Sequence, residues 1–226
     1  PSQSARPDLT RVELHCHSTL SDGQLGIEQL AGAIAQSQVA YAALTDHDSL
    51  DGQEAFRHAL LAHGIAAISG VEISTLFEGR ELHLLGHGFN FNDEGLRKLL
   101  APSPLRQELP KPPVPTLEAL ARIHEAGGVA SLAHPLLSVP DRGRLSSLLS
   151  RLCSEGLDGI EAFRPNQSPH DEEFLLTCAK ENGLLVTGGT DFHGAPSERP
   201  GIAVPTQYWK EFRDRMLGTS IAAGCT

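Results

Sequence analysis

The chain has 226 residues, 40% of them hydrophobic, and its 28 acidic against 18 basic residues give a formal net charge of -10. This length and apolar content suffice for one barrel-sized core, and the charge has the wrong sign for a surface that holds long duplex nucleic acid. No apolar run approaches the ~20 residues that cross a bilayer, and the opening PSQSARPDLT has neither the basic region nor the apolar stretch of a leader, so no membrane partner is expected.

Four cysteines, Cys16, Cys153, Cys178 and Cys225, are widely separated and form no CxxC pair, which reads as reduced thiols in a soluble cytoplasmic protein. Eleven histidines beside one Met and one Trp direct attention to ligand chemistry. Acidic balance suits a protein that gathers divalent cations, because each bound ion reverses the local field and can then attract an anion.

In chain order, VELHCHS reads as a strand ending in polar residues, and GIEQLAGAIAQSQ places Ile27, Leu30 and Ile34 on one helical face. YAALTDHD repeats the unit, followed by a helix over DGQEAFRHALLAHG that Gly64 closes. IAAISGVEIST is a third strand. FEGRELHLLGHGF is a hairpin turning at Glu78-Gly79. APSPLRQELPKPPVP, residues 101–115, is a Pro-rich connector that cannot sustain a helix. TLEALARIHEAGG is a helix with Thr116 as its N-cap, and GVASLAHP is another buried strand. Helix DRGRLSSLLSRLCSEG, strand LDGIEAF, helix SPHDEEFLLTCAKENG and strand LLVTGGTDFH complete the series, with Ser168 and Asp171 forming a capping box and Pro169 at the first helical position. About seven strands alternating with helices predict a mainly parallel α/β sheet in one domain over 1–226, either a closed barrel or an open doubly wound sheet.

Chemistry-bearing side chains recur where these strands end. His15 and His17 flank Cys16, and since alternate strand residues face one side, both imidazoles point together while Cys16 faces away. Asp22 follows in SDG, His47 lies in TDHD, Glu72 in GVEIS and His83 in the hairpin; His134 ends GVASLAHP, and Asp191 with His193 ends the last strand. Scattered surface acids and histidines would show no preference for strand ends. Imidazole and carboxylate donors without thiolate favour Zn, Mn, Fe or Mg over a structural zinc, and nine donors exceed the needs of one ion. Two or three divalent ions with a bridging carboxylate are expected.

HCHS with SDG, TDHD, GVEIS, ELHLLGH, LAHP and TDFHG together resemble, in order along nearly the whole chain, the PHP (polymerase and histidinol phosphatase) family. The resemblance implies a distorted seven-stranded β/α barrel with a trinuclear metal site. It further implies that His15, His17, Glu72 and Asp191 hold one ion, Asp22, His47 and His193 a second, and Glu72, His83 and His134 a third, with Glu72 as the bridge. The long form GVEIST and the segment EAFRPNQSPHDEE are similar to the bacterial subgroup that removes phosphate from 3',5'-nucleoside bisphosphates and trims short 5'-phosphorylated RNA. Members of that subgroup carry a helical insertion after the hairpin. Here the Pro-rich connector 101–115 stands in its place, which bears on substrate identity more than on chemistry.

The expected function is therefore hydrolysis of phosphate monoesters of small nucleotide substrates by a metal-bridged hydroxide. Arg164, after LDGIEAF, is the candidate catalytic side chain that grips a phosphate, a surface arginine packing its stem being the competing reading. His170 reads as a solvated helix-start residue, and His58, His63, His87 and His124 read as structural. Three rivals stand beside this reading: a histidinol-phosphate phosphatase of the same family, a non-catalytic metal-binding module of the kind appended to polymerases, and an amidohydrolase. The last needs a metal-bridging lysine at a strand end, and none of these strands offers one.

Overall fold

A computed structural model describes residues 8–101 and 113–223. Strands β1 (Leu9–Glu13), β2 (Tyr41–Leu44), β3 (Ala66–Phe77) and β4 (Arg80–His87) carry the first half, with helices α1 (Ile27–Gln36) and α2 (Gln53–Ala62) in the crossovers. Helix α3 (Glu94–Leu100), the two-residue β5 (Val114–Pro115), α4 (Thr116–Glu125), β6 (Val129–Leu132) and the short α5 (Pro135–Ser138) follow. The rest is α6 (Arg142–Ser154), β7 (Gly159–Phe163), α7 (Pro169–Asn182), β8 (Leu185–Gly188), β9 (Ile202–Pro205) and α8 (Thr206–Ala223).

All strands join one sheet in the order β8-β7-β6-β4-β3-β2-β1-β9, with β5 beside β3, and the sheet curls into a nearly closed barrel. The seven strands read from the sequence are β1 to β4 and β6 to β8. Strands β5 and β9 and helices α3, α5 and α8 add to them. β1, β2 and β3 run parallel, as do β6, β7 and β8, whereas β4 is antiparallel to both β3 and β6 and joins the two parallel halves. β4 must reverse, because the β3–β4 connection is a two-residue hairpin, Glu78-Gly79, with both residues at positive φ (50° and 79°).

A seam remains where the curled sheet meets itself. β9 pairs with Leu9 to Val12, and past β9 the extension of β1 meets the loop after β8 through an isolated bridge between Cys16 and Phe192. Two backbone bonds hold it: His17 N–H to Phe192 O at 2.9 Å and Phe192 N–H to His15 O at 3.2 Å. The fully buried Glu13 carboxylate reinforces it by accepting from the backbone N–H groups of Thr190 (2.9 Å) and Gly201 (2.6 Å). Approach is close here, since a Cβ on Gly189 would lie 2.4 Å from the Cβ of His15.

Packing explains the helices. α1 buries Leu30, Ala31 and Ile34 on one face, meeting Phe56 and Leu60 of α2 outside β1 and β2. α8 buries Trp209, Phe212 and Met216, whose i, i+3, i+7 spacing makes one stripe, against the barrel end where the parallel strands begin: Trp209 lies 4.3 Å from Tyr41 between ring centroids. His87 is enclosed there, its Nε2 donating to Leu14 O at 2.8 Å, and burial pushes its pKa down to about 4. Ser168 caps α7 by accepting from Asp171 N–H at 3.1 Å, with Pro169 in the first turn and Gly183 left-handed at the C-terminus. Thr116, expected as an N-cap, instead begins α4 after Pro115, and its hydroxyl donates to Thr75 Oγ1 at 2.9 Å. A buried threonine on a neighbouring strand competes for the hydroxyl. Of the Pro-rich connector 101–115, residues 102–112 lie outside the described residues; Val114 and Pro115 form β5, paired with Thr75 and Leu76.

Among the described residues Cys16, Cys153 and Cys178 are free thiols, and no helix is long and apolar enough to cross a membrane.

Gln53 fixes the start of α2 to the sheet. Its Nε2 donates to Leu44 O (3.0 Å) and Gly70 O (2.8 Å), and its Oε1 accepts from Gly70 N–H (3.2 Å), all in a buried setting. Gln53→Leu retains volume but strands these backbone groups. Stability should fall by about 2–3 kcal/mol, read as a lower urea midpoint with unchanged slope; an unchanged midpoint would show that the amide is dispensable.

Candidate metal centre

Regular strand alternation carries His15 and His17 inward from the end of β1, both fully buried, while Cys16 faces outward, its Sγ donating to Ala43 O at 3.2 Å. Long β3 delivers Glu72, buried at 0% exposure, from beneath the barrel mouth. β4 brings His83 opposite Ser74, and the turn after β6 brings His134. The loop after β8 brings Asp191 and His193, the loop after β2 brings His47, and the loop after β1 brings Asp22. All nine side chains singled out by the sequence converge at this end of the barrel.

Glu72 is their hub. Its Oε1 lies 2.8 Å from His83 Nδ1 and 2.9 Å from His134 Nε2; its Oε2 lies 2.9 Å from His15 Nε2, 3.1 Å from His17 Nε2 and 3.5 Å from His47 Nδ1. Asp191 Oδ1 faces the same nitrogens of His15 (3.2 Å) and His17 (3.3 Å). On the outer side, Asp22 Oδ2 stands 3.6 Å from His47 Nε2 and 3.4 Å from His193 Nε2. Three overlapping groups therefore have donor atoms close enough to share an ion: His15, His17, Glu72 and Asp191; His17, Asp22, His47 and His193; and His47, Glu72 and His83. His134 reaches Glu72 without falling into any of these groups.

The donor set fits divalent cations on a specific observation. Both ring nitrogens of His17 and Nδ1 of His47 are buried without a hydrogen-bond partner among the described residues, although carboxylate oxygens stand 3.1–3.6 Å away. A buried polar atom without a partner is costly. Nitrogens aimed past hydrogen-bond geometry into a nest of carboxylates are placed as ligands are placed.

Electrostatics shows the same demand for positive charge. Burial opposes protonation of His15 and His17, but adjacent carboxylates outweigh it, Glu72 and Glu161 lifting His15 well above its ordinary range and Asp191 and Glu72 lifting His17 to about 9. Burial alone would raise Glu72; the surrounding imidazoles, His15 foremost, hold it well below the usual carboxylate range. Asp191 is lowered too, against burial, by His17, His15 and Arg164. Burial shifts His47 down, with the His17 and His83 imidazoles adding to it against the pull of Glu72 and Asp22. His83 is raised by Glu72.

Three buried acids outside the sequence expectation support the centre. Glu161 of β7, at 0% exposure, places Oε1 2.9 Å from His15 Nδ1 and accepts from the His134 backbone N–H at 2.8 Å through Oε2. One carboxylate thereby orients His15 and holds His134, whose φ of 30° is a left-handed conformation that a β-carbon disfavours. Glu13 binds the Thr190 and Gly201 amides of the seam. Asp46 accepts from Ser18 N–H (2.7 Å), Ser18 Oγ (2.7 Å) and Ser21 Oγ (2.6 Å), fixing the loop that carries Asp22. Each is a charge inside an apolar strand or at its buried end, which is the signal in GIEAF, VELH and LTDHD.

Arg164 donates from Nη2 to Asp191 Oδ2 at 3.0 Å, with Nε 3.6 Å from Glu161 Oε2, and its buried Nη1 has no hydrogen-bond partner among the described residues. It borders a cleft of about 240 Å³ shared with His134, Asn166 and Gln167. The histidines expected to be structural stay away from the centre. His58 pairs with Glu54 on α2, His63 ends that helix, His124 meets Asp158 at 2.7 Å, and His170 is exposed at the start of α7.

The chain is 27% identical over 246 aligned positions to a 5'-3' exoribonuclease of Haemophilus influenzae, covering 81% of this chain and 90% of that protein. It is 28% identical to a phosphoribosyl 1,2-cyclic phosphate 1,2-diphosphodiesterase of Eggerthella lenta, covering 85% and 98%. Both alignments are longer than the 226 residues of this chain, so each relative has residues without a counterpart here. In structure it is similar to a metal-dependent phosphoesterase described from Bifidobacterium adolescentis, with TM-score 0.77, 22% identity, and 93% and 98% coverage. The PHP domain matches residues 13–189, a span that holds every convergent side chain except Asp191 and His193, and the chain belongs to the PHP domain family.

Proposed function

We propose that this protein is a metal-dependent phosphoesterase that hydrolyses phosphate monoesters of nucleotides, such as 3',5'-nucleoside bisphosphates or short 5'-phosphorylated oligonucleotides, in the cytoplasm. The observation that carries the reading is the set of overlapping donor groups around the buried Glu72 carboxylate, with His17 nitrogens that no hydrogen bond satisfies. His15, His17, Glu72 and Asp191 would hold one ion, Asp22, His47 and His193 another, and Glu72 with His83 and His134 a third, from among Mn, Fe, Zn and Mg. Bound divalent cations supply Lewis-acid charge for phosphoryl oxygens and lower the pKa of water toward neutrality.

The protein's own residues do the rest. Glu161 accepts a hydrogen bond from the Nδ1–H of His15 and so, in the neutral imidazole, leaves the Nε2 lone pair turned toward Glu72 and Asp191. Arg164, anchored on Asp191 by one nitrogen, keeps Nη1 for a phosphoryl oxygen at the edge of the centre. Its guanidinium would compensate charge that builds on the phosphoryl group as the ester bond breaks. Retention of every expected donor supports an enzyme over a degenerate binding module.

His15→Ala or Asp191→Asn should abolish release of phosphate from p-nitrophenyl phosphate, whereas His58→Ala should leave it intact; equal activity in all three variants would refute the assignment. Glu161→Gln keeps shape but weakens the hold on His15 and His134. Titration with Mn²⁺ should show affinity lowered about 10–100-fold. Adenosine 3',5'-bisphosphate, histidinol phosphate and a cyclic phosphodiester, compared at equal concentration, separate the nucleotide reading from its rivals.

Proton linkage gives a further expectation. In metal-free protein, His15 and His17 bind protons more tightly folded than unfolded, so their contribution to stability is complete below about pH 6.5. It is lost as pH rises toward the folded value of about 9 for His17. Chelator-treated protein should therefore lose several degrees of Tm between about pH 6.5 and 9. Added Mn²⁺ should abolish the decline and release protons on binding. A chelated protein equally stable at both ends would show that these imidazoles do not carry the charge.

A further inference from the structure

Resting on the phosphoesterase reading, we propose that the cleft between the β3–β4 turn and α6 is a subsite for the phosphates of a single-stranded oligonucleotide that lie beyond the scissile ester. The cleft, about 480 Å³, is lined by Arg80, Arg144 and Arg151, with Phe77, Asp141 and Ser147. In a chain of net charge -10, three arginines meet at this cleft, Arg144 and Arg151 from α6 and Arg80 from β4, while Arg142 of α6 is paired elsewhere with Asp171. A local excess of one sign against the global balance is a field directed at an anion.

The acids at this cleft are already engaged. Asp141 caps α6 by accepting from Arg144 N–H at 2.9 Å, and Glu78 is paired with Arg151, whose guanidinium also lies over the Phe77 ring. Arg144's guanidinium has no ion pair or hydrogen bond among the described residues. Arg80 has only the Ser138 carbonyl, at 3.4 Å. Two exposed guanidinium groups, each able to bind phosphate through two parallel N–H bonds, thus face the cleft without a carboxylate of their own.

Position ties the cleft to the centre. Arg80 precedes His83 by three residues on β4, roughly 10 Å along the strand at strand rise. Ser138, which accepts from Arg80, has its hydroxyl 3.2 Å from His134 Nδ1. Arg80 and His83 face opposite sides of β4, so Ser138, between Arg80 and His134, is the link from the cleft to the centre. A mononucleotide bound at the centre would leave the cleft empty; a chain extending past the ester would lay its next phosphates there. Backbone contacts of this kind bind without reading sequence.

The test compares the Mn²⁺-loaded wild type with the Arg80→Ala/Arg144→Ala double variant on p-nitrophenyl phosphate, a nucleoside monophosphate and a 5'-phosphorylated oligonucleotide at several salt concentrations. The variant should keep its rates on the two small esters and lose at least about tenfold in kcat/KM on the oligonucleotide. Its log–log salt slope should shrink by about 1.4, or 0.7 for each lost phosphate contact to a single strand. Arg80→Lys/Arg144→Lys should restore most of the slope. Fluorescence anisotropy of the same oligonucleotide with chelated protein should show matching loss of affinity. An equal loss on all three substrates, or no loss of oligonucleotide binding, overturns the subsite. A wild type that cleaves small esters with no advantage for the oligonucleotide also overturns it while sparing the phosphoesterase reading. If the wild type cleaves no ester, that reading falls, and anisotropy alone decides whether the cleft binds the strand.

Discussion

Burying the Glu72 carboxylate at the centre of five imidazoles sets the terms for the rest of the barrel. An isolated charge at zero exposure is expensive, and it is tolerated only when opposite charge or protons converge on both of its oxygens. That convergence requires strand ends from both parallel halves of the sheet to point at one place, which the antiparallel β4 makes possible by joining the halves. It also requires backbone conformations the chain would otherwise avoid, at Asp48 (φ 49°), His134 (φ 30°) and Asp191 (φ 55°), all beside or within the centre. Left-handed residues of this kind cost about 1–3 kcal/mol each and persist where surrounding bonds over-determine them, as Glu161 does at His134.

Charge is arranged in layers around that carboxylate. Inside, imidazoles balance Glu72 and Asp191. Behind them, Glu161, Glu13 and Asp46 accept hydrogen bonds from imidazole, hydroxyl and backbone groups, so that few lone pairs face apolar surroundings. Outside, Arg164 bridges Asp191 toward solvent, and Arg80 and Arg144 stand exposed at the cleft beside α6. An anionic substrate approaching a protein of net charge -10 needs such a local exception, which cations held by the centre would extend.

Much of this was legible in the sequence because two periodicities and one chemical bias coincide. Strand alternation puts His15 and His17 on one side of Cys16, and donor residues accumulate only where apolar strands stop. Glycine and proline punctuation located α2, α4 and α7 to within a residue or two. What escaped has a physical reason in each case. The hairpin at Glu78-Gly79 announces the reversal of β4, but its antiparallel pairing with β6 leaves no mark in a short apolar run. β9 is four residues long and is a strand only because β1 needs a partner. Thr116 has the right chemistry for a cap but finds Thr75, a partner known only once the chain is folded. Glu161 and Glu13 sit inside apolar strands, and their partners lie 146 and 177 residues away in the chain.

The incomplete closure between the first and last strands has its own consequence. His17 and Asp191 stand on opposite sides of the junction held by Cys16 and Phe192, so an ion ligated by both would act as a rivet between distant parts of the chain. Cross-links that close long loops restrict the unfolded chain most in principle. Without an ion, two backbone bonds at the bridge, the Gln24 N–H to His193 O bond, the Glu13 carboxylate and the pairs of His15 and His17 with Asp191 hold this junction. Ion loss and loosening of the mouth would then be coupled through this junction.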